Sequence, residues 1–163
     1  MSDVWCWIEN NATELIAITA VLFTAYQAYL SRKHNKLSVK PHITVSWANF
    51  SDAPISFTMC NDGLGPAIIK SYSIEVDGST VEGQGPELYK NAIIALGLQN
   101  ITYLSYNLTE GEAYSVGKSL VLLRFEEPPD RYDEINEVLS KLKFRITYTS
   151  IYEDKVFTYY GNS

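Results

Sequence analysis

The chain has 163 residues, with 19 acidic and 13 basic side chains and a formal net charge of −6 at pH 7. After residue 40 there are sixteen acidic and nine basic residues, which argues against a long DNA or RNA duplex as a partner because such binding depends on neutralising phosphates. The two cysteines, Cys6 and Cys60, lie on either side of an apolar run that could cross a membrane, so we expect no disulfide between them.

The first predicted element is a membrane-spanning helix centred on the uncharged run Leu15–Leu30, in which Gln27 is the only strongly polar side chain. A bilayer core is about 30 Å thick and a helix rises about 1.5 Å per residue, so the helix must extend beyond this run. The aromatic residues suited to the two membrane interfaces are Trp5, Trp7, Tyr26 and Tyr29. The alternatives are a buried helix of a soluble domain and a cleaved signal peptide, and the acidic leader argues against the latter.

Flanking charge predicts the orientation of this helix. The basic residues follow the apolar run, and they are Arg32, Lys33, Lys36 and Lys40. Because basic residues stay on the cytoplasmic side, we expect the N-terminus outside and the rest of the chain in the cytosol. The same four residues are expected to contact anionic lipid headgroups. The predicted parts are residues 1–36, with the transmembrane helix, and residues 37–163, the cytosolic domain.

A stripe of small or polar residues runs along the predicted helix at heptad spacing. Its members are Asn10, Thr13, Ala17, Ala20, Thr24, Gln27 and Ser31. Helices associate in lipid through close approach of small residues and through hydrogen bonds, so the stripe predicts a parallel homo-oligomer, for example a tetramer. The alternative is that a span rich in alanine and threonine shows small residues on several faces.

The remaining chain predicts a mainly-β domain. Alternating apolar residues or bounding turns mark strands near 42–47, 55–60, 68–76, 101–108, 119–126, 143–151 and 155–160. Two helices are predicted, one from Pro86 to Leu96 ended by Gly97 and one from Arg131 to Leu142 with Asp130 as N-cap. The loop Asn61–Pro66 fits a longer connection or a crossover between two sheets better than a tight hairpin. The predicted fold is therefore one transmembrane helix plus an immunoglobulin-like sandwich or small barrel with one or two short helices.

Motifs for catalysis or for cofactor binding are missing from the sequence. His34 and His42 have no Cys, Asp or Glu neighbours at metal-ligand spacing. The Gly63-Leu64-Gly65 turn is too short for a dinucleotide fingerprint. We therefore expect no enzyme activity, no metal and no cofactor.

Candidate ligand-binding residues come from the cationic and aromatic side chains of the C-terminal strands. They are Arg124, Lys143, Arg145, Tyr148 and Lys155. Arg and Lys meet phosphates while aromatic rings stack on bases, so this set fits a small anionic ligand. A polar strand face with two cations is also what an ordinary solvent-facing sheet presents.

The layout of anchor, basic segment and small β domain resembles the membrane-bound effectors of bacterial antiviral defence, in particular the type III CRISPR accessory membrane proteins. The resemblance covers architecture and length. It implies an inner-membrane oligomer whose cytosolic domain binds cyclic oligoadenylate, such as cyclic tetra-adenylate, and triggers membrane disruption. The alternatives are a membrane-tethered adaptor that binds a protein partner and, with reversed topology, an extracellular glycoprotein using the sequons at Asn11, Asn49, Asn100 and Asn107.

Overall fold

The structure is a computed structural model that describes residues 2–48, 53–126, 132–152 and 155–161, and for residues 2–6, 8–10 and 132–134 it describes the backbone alone. The chain divides into two compact units, Met1–Ser38 and Val39–Ser163. The described residues form three helices and nine strands: α1 Ser2–Ser38, β1 Ile43–Ala48, β2 Ser56–Asn61, β3 Ala67–Val76, β4 Ser79–Thr80, α2 Pro86–Ala95, β5 Tyr103–Ser105, β6 Ala113–Tyr114, β7 Ser119–Phe125, α3 Tyr132–Leu139, β8 Leu142–Thr149 and β9 Val156–Gly161.

The first unit is the single helix α1, which has 37 residues and is therefore about 55 Å long. Its segment Asn11–Ser38 is long and apolar enough to cross a membrane, with a mean hydropathy of 1.3 and none of the window buried. The helix continues beyond the uncharged run through Arg32, Lys33 and Lys36. Neither Pro nor Gly interrupts it, and Lys36 in its last turn is favourable near the negative end of the helix dipole.

The second unit contains two antiparallel sheets. Sheet A has the strand order β1-β2-β7-β5, and sheet B has the order β4-β3-β8-β9, with β6 paired to the first residues of β3. The connection from β2 to β3 therefore crosses from sheet A to sheet B. Of the two predicted forms of the loop Asn61–Pro66, the crossover is the one observed.

The inward side chains of both sheets form one apolar core. Phe57 of β2 meets Phe144 of β8 edge to face, with ring centroids 5.3 Å apart. The alternating apolar side chains of the first two strands face this core: Ile43, Val45, Phe57 and Met59 are buried, and Trp47 is partly buried. Burying a large apolar side chain contributes about 1.5–3 kcal/mol, so this core is the main source of the unit's stability.

The turn between β3 and β4 and the two ends of α2 have the geometry that their residues favour. Asp77 and Gly78 both have positive φ, as a two-residue hairpin between β3 and β4 requires. Pro86 occupies the first position of α2, and Gly97 follows the helix with φ 75°. The buried face of α2 packs on the apolar core.

Several element boundaries differ from the prediction. The helix predicted to reach Leu142 ends at Leu139, because Leu142 pairs with Val76 and starts β8. The strand predicted over 101–108 is confined to β5. The strands β4 and β6 have two residues each, too few to show a periodic pattern in the sequence. The predicted N-cap Asp130 lies outside the described residues.

The crossover loop packs tightly on the segment that precedes β1. A Cβ on Gly63 would overlap the backbone of His42, and one on Gly65 would overlap Val39. Neither glycine has a positive φ, so the close approach of the two backbones is what requires them. The amide N–H of Leu64 donates to the carbonyl of Lys40 at 2.8 Å, which fixes the loop to this segment.

Candidate functional site

The predicted oligomer stripe lies along α1. All its members fall within the helix, and those from Thr13 to Ser31 are exposed, while Asn10 belongs to the part of α1 described by its backbone alone. An ideal helix drifts by about 20° per heptad, so the stripe follows one side of α1 with a slight winding. The stripe is therefore available to a neighbouring helix, and its role in association stays a prediction.

The threonine hydroxyls of α1 bond to their own helix backbone. Thr24 Oγ1 donates to the carbonyl of Ala20 at 2.7 Å, and Thr19 Oγ1 donates to that of Leu15 at the same distance. Bonds of this kind satisfy the hydroxyl of a threonine in lipid, so that no neighbouring helix has to supply an acceptor. Within the described part of the chain, the carboxamide of Gln27 has no such bond. The Gln27 carboxamide can therefore form hydrogen bonds with a neighbouring helix.

The four residues predicted to contact lipid headgroups are divided between α1 and the second unit. Arg32, Lys33 and Lys36 belong to the last turns of α1. Lys40 belongs to the β domain, where its Nζ lies 5.7 Å from the ring centroid of Phe157. The basic cluster of the sequence is thus divided between the two units.

On the outer face of sheet B, Arg145 pairs with Glu75. The guanidinium donates from Nε at 3.0 Å and from Nη2 at 2.6 Å to Glu75 Oε1, and the hydroxyl of Tyr160 donates to Oε2 at 2.7 Å. Lys143 Nζ lies 5.3 Å and Arg145 Cζ 4.6 Å from the ring centroid of Tyr160. Both carboxylate oxygens are occupied, and the charge of Arg145 is compensated inside the domain. We refer to Glu75, Lys143, Arg145 and Tyr160 as the sheet B cluster.

The cluster shifts the titration of its members. The hydrogen bond from Tyr160, followed by that from Arg145, lowers the pKa of Glu75 below its ordinary value of 4.5. The bond to Glu75 in turn raises the pKa of Tyr160 and that of Arg145. A carboxylate with a lowered pKa in the folded state stabilises the fold above its ordinary pKa, and this contribution is lost as the pH falls through the folded value.

We therefore expect the stability difference between the wild type and Glu75→Gln to depend on pH. Near pH 7 the wild type has the higher melting temperature, and the gap narrows as the pH is lowered progressively below 4.5 and Glu75 is protonated. Circular dichroism of the full-length protein in detergent measures both melting curves. A gap that stays constant across this range would contradict the assigned ionisation of Glu75.

The structure brings only Lys143 and Arg145 of the five predicted ligand residues together. Tyr148 lies on the opposite face of β8, where its ring is buried and its hydroxyl accepts the N–H of Ile43 at 3.1 Å. Lys155 precedes the end of β9 that pairs with Thr149, about 16 Å along the strand from Tyr160. Arg124 lies in the other sheet.

Glu75 and Tyr160, which complete the cluster around Arg145, are not among the five predicted ligand residues. Both lie on strands that flank β8, where Arg145 pairs with Ser73 on one side and with Tyr160 on the other. The alternating pattern of β3 places Glu75 on a strand but does not say which strand pairs with it. The signal that could have found them is a strand order, which a single sequence does not contain.

Arg124 borders a shallow depression on the outer face of sheet A. The depression has a volume of about 260 Å³ and is lined by Leu104, Ser105, Tyr106, Val121 and Arg124. Leu104, Tyr106 and Val121 are exposed apolar or aromatic side chains. No hydrogen bond or ion pair joins the Arg124 side chain to another residue of the described ranges. An apolar floor beside a cation is suited to an apolar segment that carries a carboxylate, and we refer to this surface as the Arg124 depression.

Metal binding has no candidate site in the part of the chain that the structure describes, which contains no group of three or more His, Cys, Asp or Glu able to hold an ion. Cys60 is a partly buried free thiol, and the hydroxyl of Ser119 donates to its Sγ at 3.5 Å.

No protein-family model, curated protein or solved structure matches the chain.

Proposed function

We propose that the chain is a single-pass membrane protein in which α1 crosses the bilayer with its N-terminus outside, and that the second unit is a binding module at the cytoplasmic face. Following the resemblance in architecture, we assign it to the bacterial inner membrane. We also infer that the two sheets form an immunoglobulin-like β-sandwich, because their inward faces share one core and their strands are antiparallel.

The observation that carries this proposal is the exposure of α1. Every side chain from Thr13 to Tyr29 is exposed, and no charge occurs between Leu15 and Leu30. A helix with apolar side chains on most of its surface must be shielded from water, and the acyl chains of a bilayer provide this shielding without another protein. The internally bonded hydroxyls of Thr19 and Thr24 reduce the cost of that environment. The basic residues after the apolar run favour the cytoplasm for the β domain.

We propose that copies of the chain associate through the stripe, and two threonines offer a matched test. Thr24 lies on the stripe and Thr19 does not, yet each makes the same bond to its own helix. Thr24→Leu is expected to weaken association by about tenfold, since one interhelical contact contributes about 1–2 kcal/mol. Native mass spectrometry of the detergent-solubilised protein counts the chains. Equal dissociation by Thr24→Leu and Thr19→Leu would contradict the stripe, as would a monomeric wild type.

For the β domain we propose binding of a protein partner at the Arg124 depression. Tyr and Arg are enriched among the residues that dominate binding energy at protein interfaces, and both border this surface. The exposed Leu104 on β5, an edge strand of sheet A, adds apolar area and an open backbone to the same surface. In this role the protein is a non-catalytic, membrane-tethered adaptor.

A second candidate function is the sensing of cyclic oligoadenylate, leading to membrane disruption in antiviral defence. The sheet B cluster favours it, because the Tyr160 ring with Lys143 and Arg145 has the combination of aromatic and cationic groups used for bases and phosphates. Glu75 opposes it by compensating Arg145. An oligomer would repeat the cluster in every subunit.

The same native mass measurement distinguishes the two candidates. Addition of micromolar cyclic tetra-adenylate is expected to add ligand mass to the oligomer if the sheet B cluster is the sensor, and Lys143→Ala is expected to abolish the gain. If no ligand mass is added at this concentration, the sensor function is ruled out and the adaptor function remains. A gain that persists in Lys143→Ala would place the nucleotide elsewhere.

A further inference from the structure

One end of the β domain gathers four chain segments. The register pairs Ile43 with Asn61 in sheet A, and the next strand, β7, begins beside Cys60. In sheet B it pairs Ile68 with Thr149, which in turn pairs with Val156. The segments at this end are therefore residues 39–42, 62–66 and 115–118, and the described residues between β8 and β9, which are 150–152 and 155. We name this end the proximal pole, because Val39 directly follows the last residue of α1 in the chain.

Large apolar side chains are exposed in the loops of the proximal pole and at the start of β9. Leu64 is 72% exposed and Val156 is 66% exposed. Val116, Ile151 and Tyr152 are exposed in the neighbouring turns. Three separate connections thus present apolar side chains at one end of the domain. A patch of this kind on a soluble surface marks a contact with a membrane or a protein.

The structure holds Leu64 outward on a fixed loop. Its N–H donates to Lys40, and the glycines on either side fit against residues 39–42 with no room for a Cβ. The loop is also tied to its neighbour, because the N–H of Gly117 donates to the carbonyl of Asn61 at 2.8 Å. Val116 is therefore held beside the same loop. A surface fixed in this way loses little conformational entropy on docking.

The charges around the proximal pole are mixed. Lys40, Lys118 and Lys155 surround the pole, and Lys118 Nζ lies 4.3 Å from the ring centroid of Tyr114. Asp62 is exposed there and accepts a hydrogen bond from Thr44. The acidic residues Glu153 and Asp154 follow Tyr152 in the sequence and lie outside the described residues. Among the described residues of the pole, three lysines outnumber one aspartate, so lysine contacts with headgroups add to the attraction that apolar insertion provides.

We propose that the proximal pole docks on the surface of the bilayer that α1 crosses, with Leu64, Val116 and Val156 in the boundary between headgroups and acyl chains. This inference rests on the proposed membrane anchor. Chain continuity selects lipid as the occupant, since Val39 follows Ser38 directly and keeps the bilayer within reach of the pole. The docked domain presents its opposite end to the cytosol.

Docking of this kind leaves the Arg124 depression accessible. Arg124 lies five residues along β7 from Ser119, about 16 Å from the proximal end of that strand. Leu104 pairs with Arg124 in the register and therefore lies at the same far end of sheet A. Docking of the proximal pole therefore keeps the Arg124 depression, the proposed partner-binding surface, away from the lipid.

A fluorescent probe tests the docking on the full-length protein. Single cysteines are introduced as Leu64→Cys and Val116→Cys in a Cys6→Ser, Cys60→Ser background, labelled with an environment-sensitive dye and reconstituted in phosphatidylcholine–phosphatidylglycerol vesicles. The matched control is Leu104→Cys, another exposed leucine, at the far end of sheet A. Brominated lipids are expected to quench the probes at 64 and 116 severalfold more than the probe at 104, which corresponds to a depth of about 5–10 Å.

Equal, weak quenching at the three positions would overturn the docking. A probe at 64 that is shielded from water but not quenched by brominated lipid would also overturn it, in favour of a second copy of the chain on the pole. Alkaline extraction of the same vesicles separates this failure from that of the anchor. If the protein stays with the lipid while the probes remain in water, docking alone is wrong. If the protein is extracted, the proposed anchor is wrong as well.

Discussion

Replacing Asn61 by alanine is expected to lower the free energy of unfolding of the β domain by at least about 3 kcal/mol. The side chain is fully buried, and its Nδ2 donates to the carbonyls of Gly65 and Tyr114, both at 2.9 Å. Its Oδ1 accepts the N–H groups of His42 at 3.2 Å and Gly63 at 3.1 Å. The substitution leaves two buried carbonyls without these partners, at about 1–3 kcal/mol each, and removes two further bonds.

The control for this prediction is Asn91→Ala. Asn91 makes one exposed bond from Nδ2 to the carbonyl of Glu82 at 2.9 Å, so its loss is expected to cost no more than about 1 kcal/mol. Urea unfolding of the full-length protein in detergent, followed by circular dichroism, measures both. Similar small effects of the two substitutions would show that Asn61 does not hold the crossover loop in place.

Placing two arginines in the centre of α1 is expected to abolish membrane insertion. Val21 and Leu22 are exposed and lie in the middle of the apolar run. An arginine at the centre of a membrane helix costs about 2.5–3.5 kcal/mol, so the pair costs about 5–7 kcal/mol. Because the mean hydropathy of the span is only 1.3, we expect its free energy of membrane insertion to be too small to offset a penalty of this size. Sedimentation of membranes is expected to find Val21→Arg/Leu22→Arg outside the membrane fraction.

The matched control places the same two charges on the β domain. Ser79→Arg/Thr80→Arg changes two exposed residues of β4 and is expected to remain in the membrane fraction. If the double arginine variant in α1 sediments with membranes and resists alkaline extraction, α1 is not the anchor. The β domain itself would then have to provide the membrane contact.

Much of the secondary structure could be predicted because local patterns specify it. The alternation of Ile43 and Val45 and the Asp77-Gly78 turn each depend on a few adjacent residues. The C-terminal end of α3 could not be predicted in the same way. Leu142 fits either a helix or a strand by its own preference, and its pairing with Val76 decides the outcome. Such pairing joins residues far apart in the sequence.

The candidate surfaces were harder to predict than the strands for the same reason. The sequence places Lys143 and Arg145 on one face of a strand, and the structure keeps them there. It does not show that Glu75, on a strand much earlier in the chain, compensates Arg145. The Arg124 depression likewise needs β5 and β7 to be neighbours, which follows from sheet topology and not from local periodicity.

The central claim, that α1 crosses the membrane with the β domain in the cytosol, is tested most directly by labelling intact cells. A membrane-impermeant maleimide is applied to bacteria that express the full-length protein with Cys60→Ser, either with native Cys6 or with Cys6→Ser and Thr80→Cys. We expect labelling of Cys6 in intact cells and labelling at position 80 only after the membrane is permeabilised. Labelling at position 80 in intact cells would contradict the account.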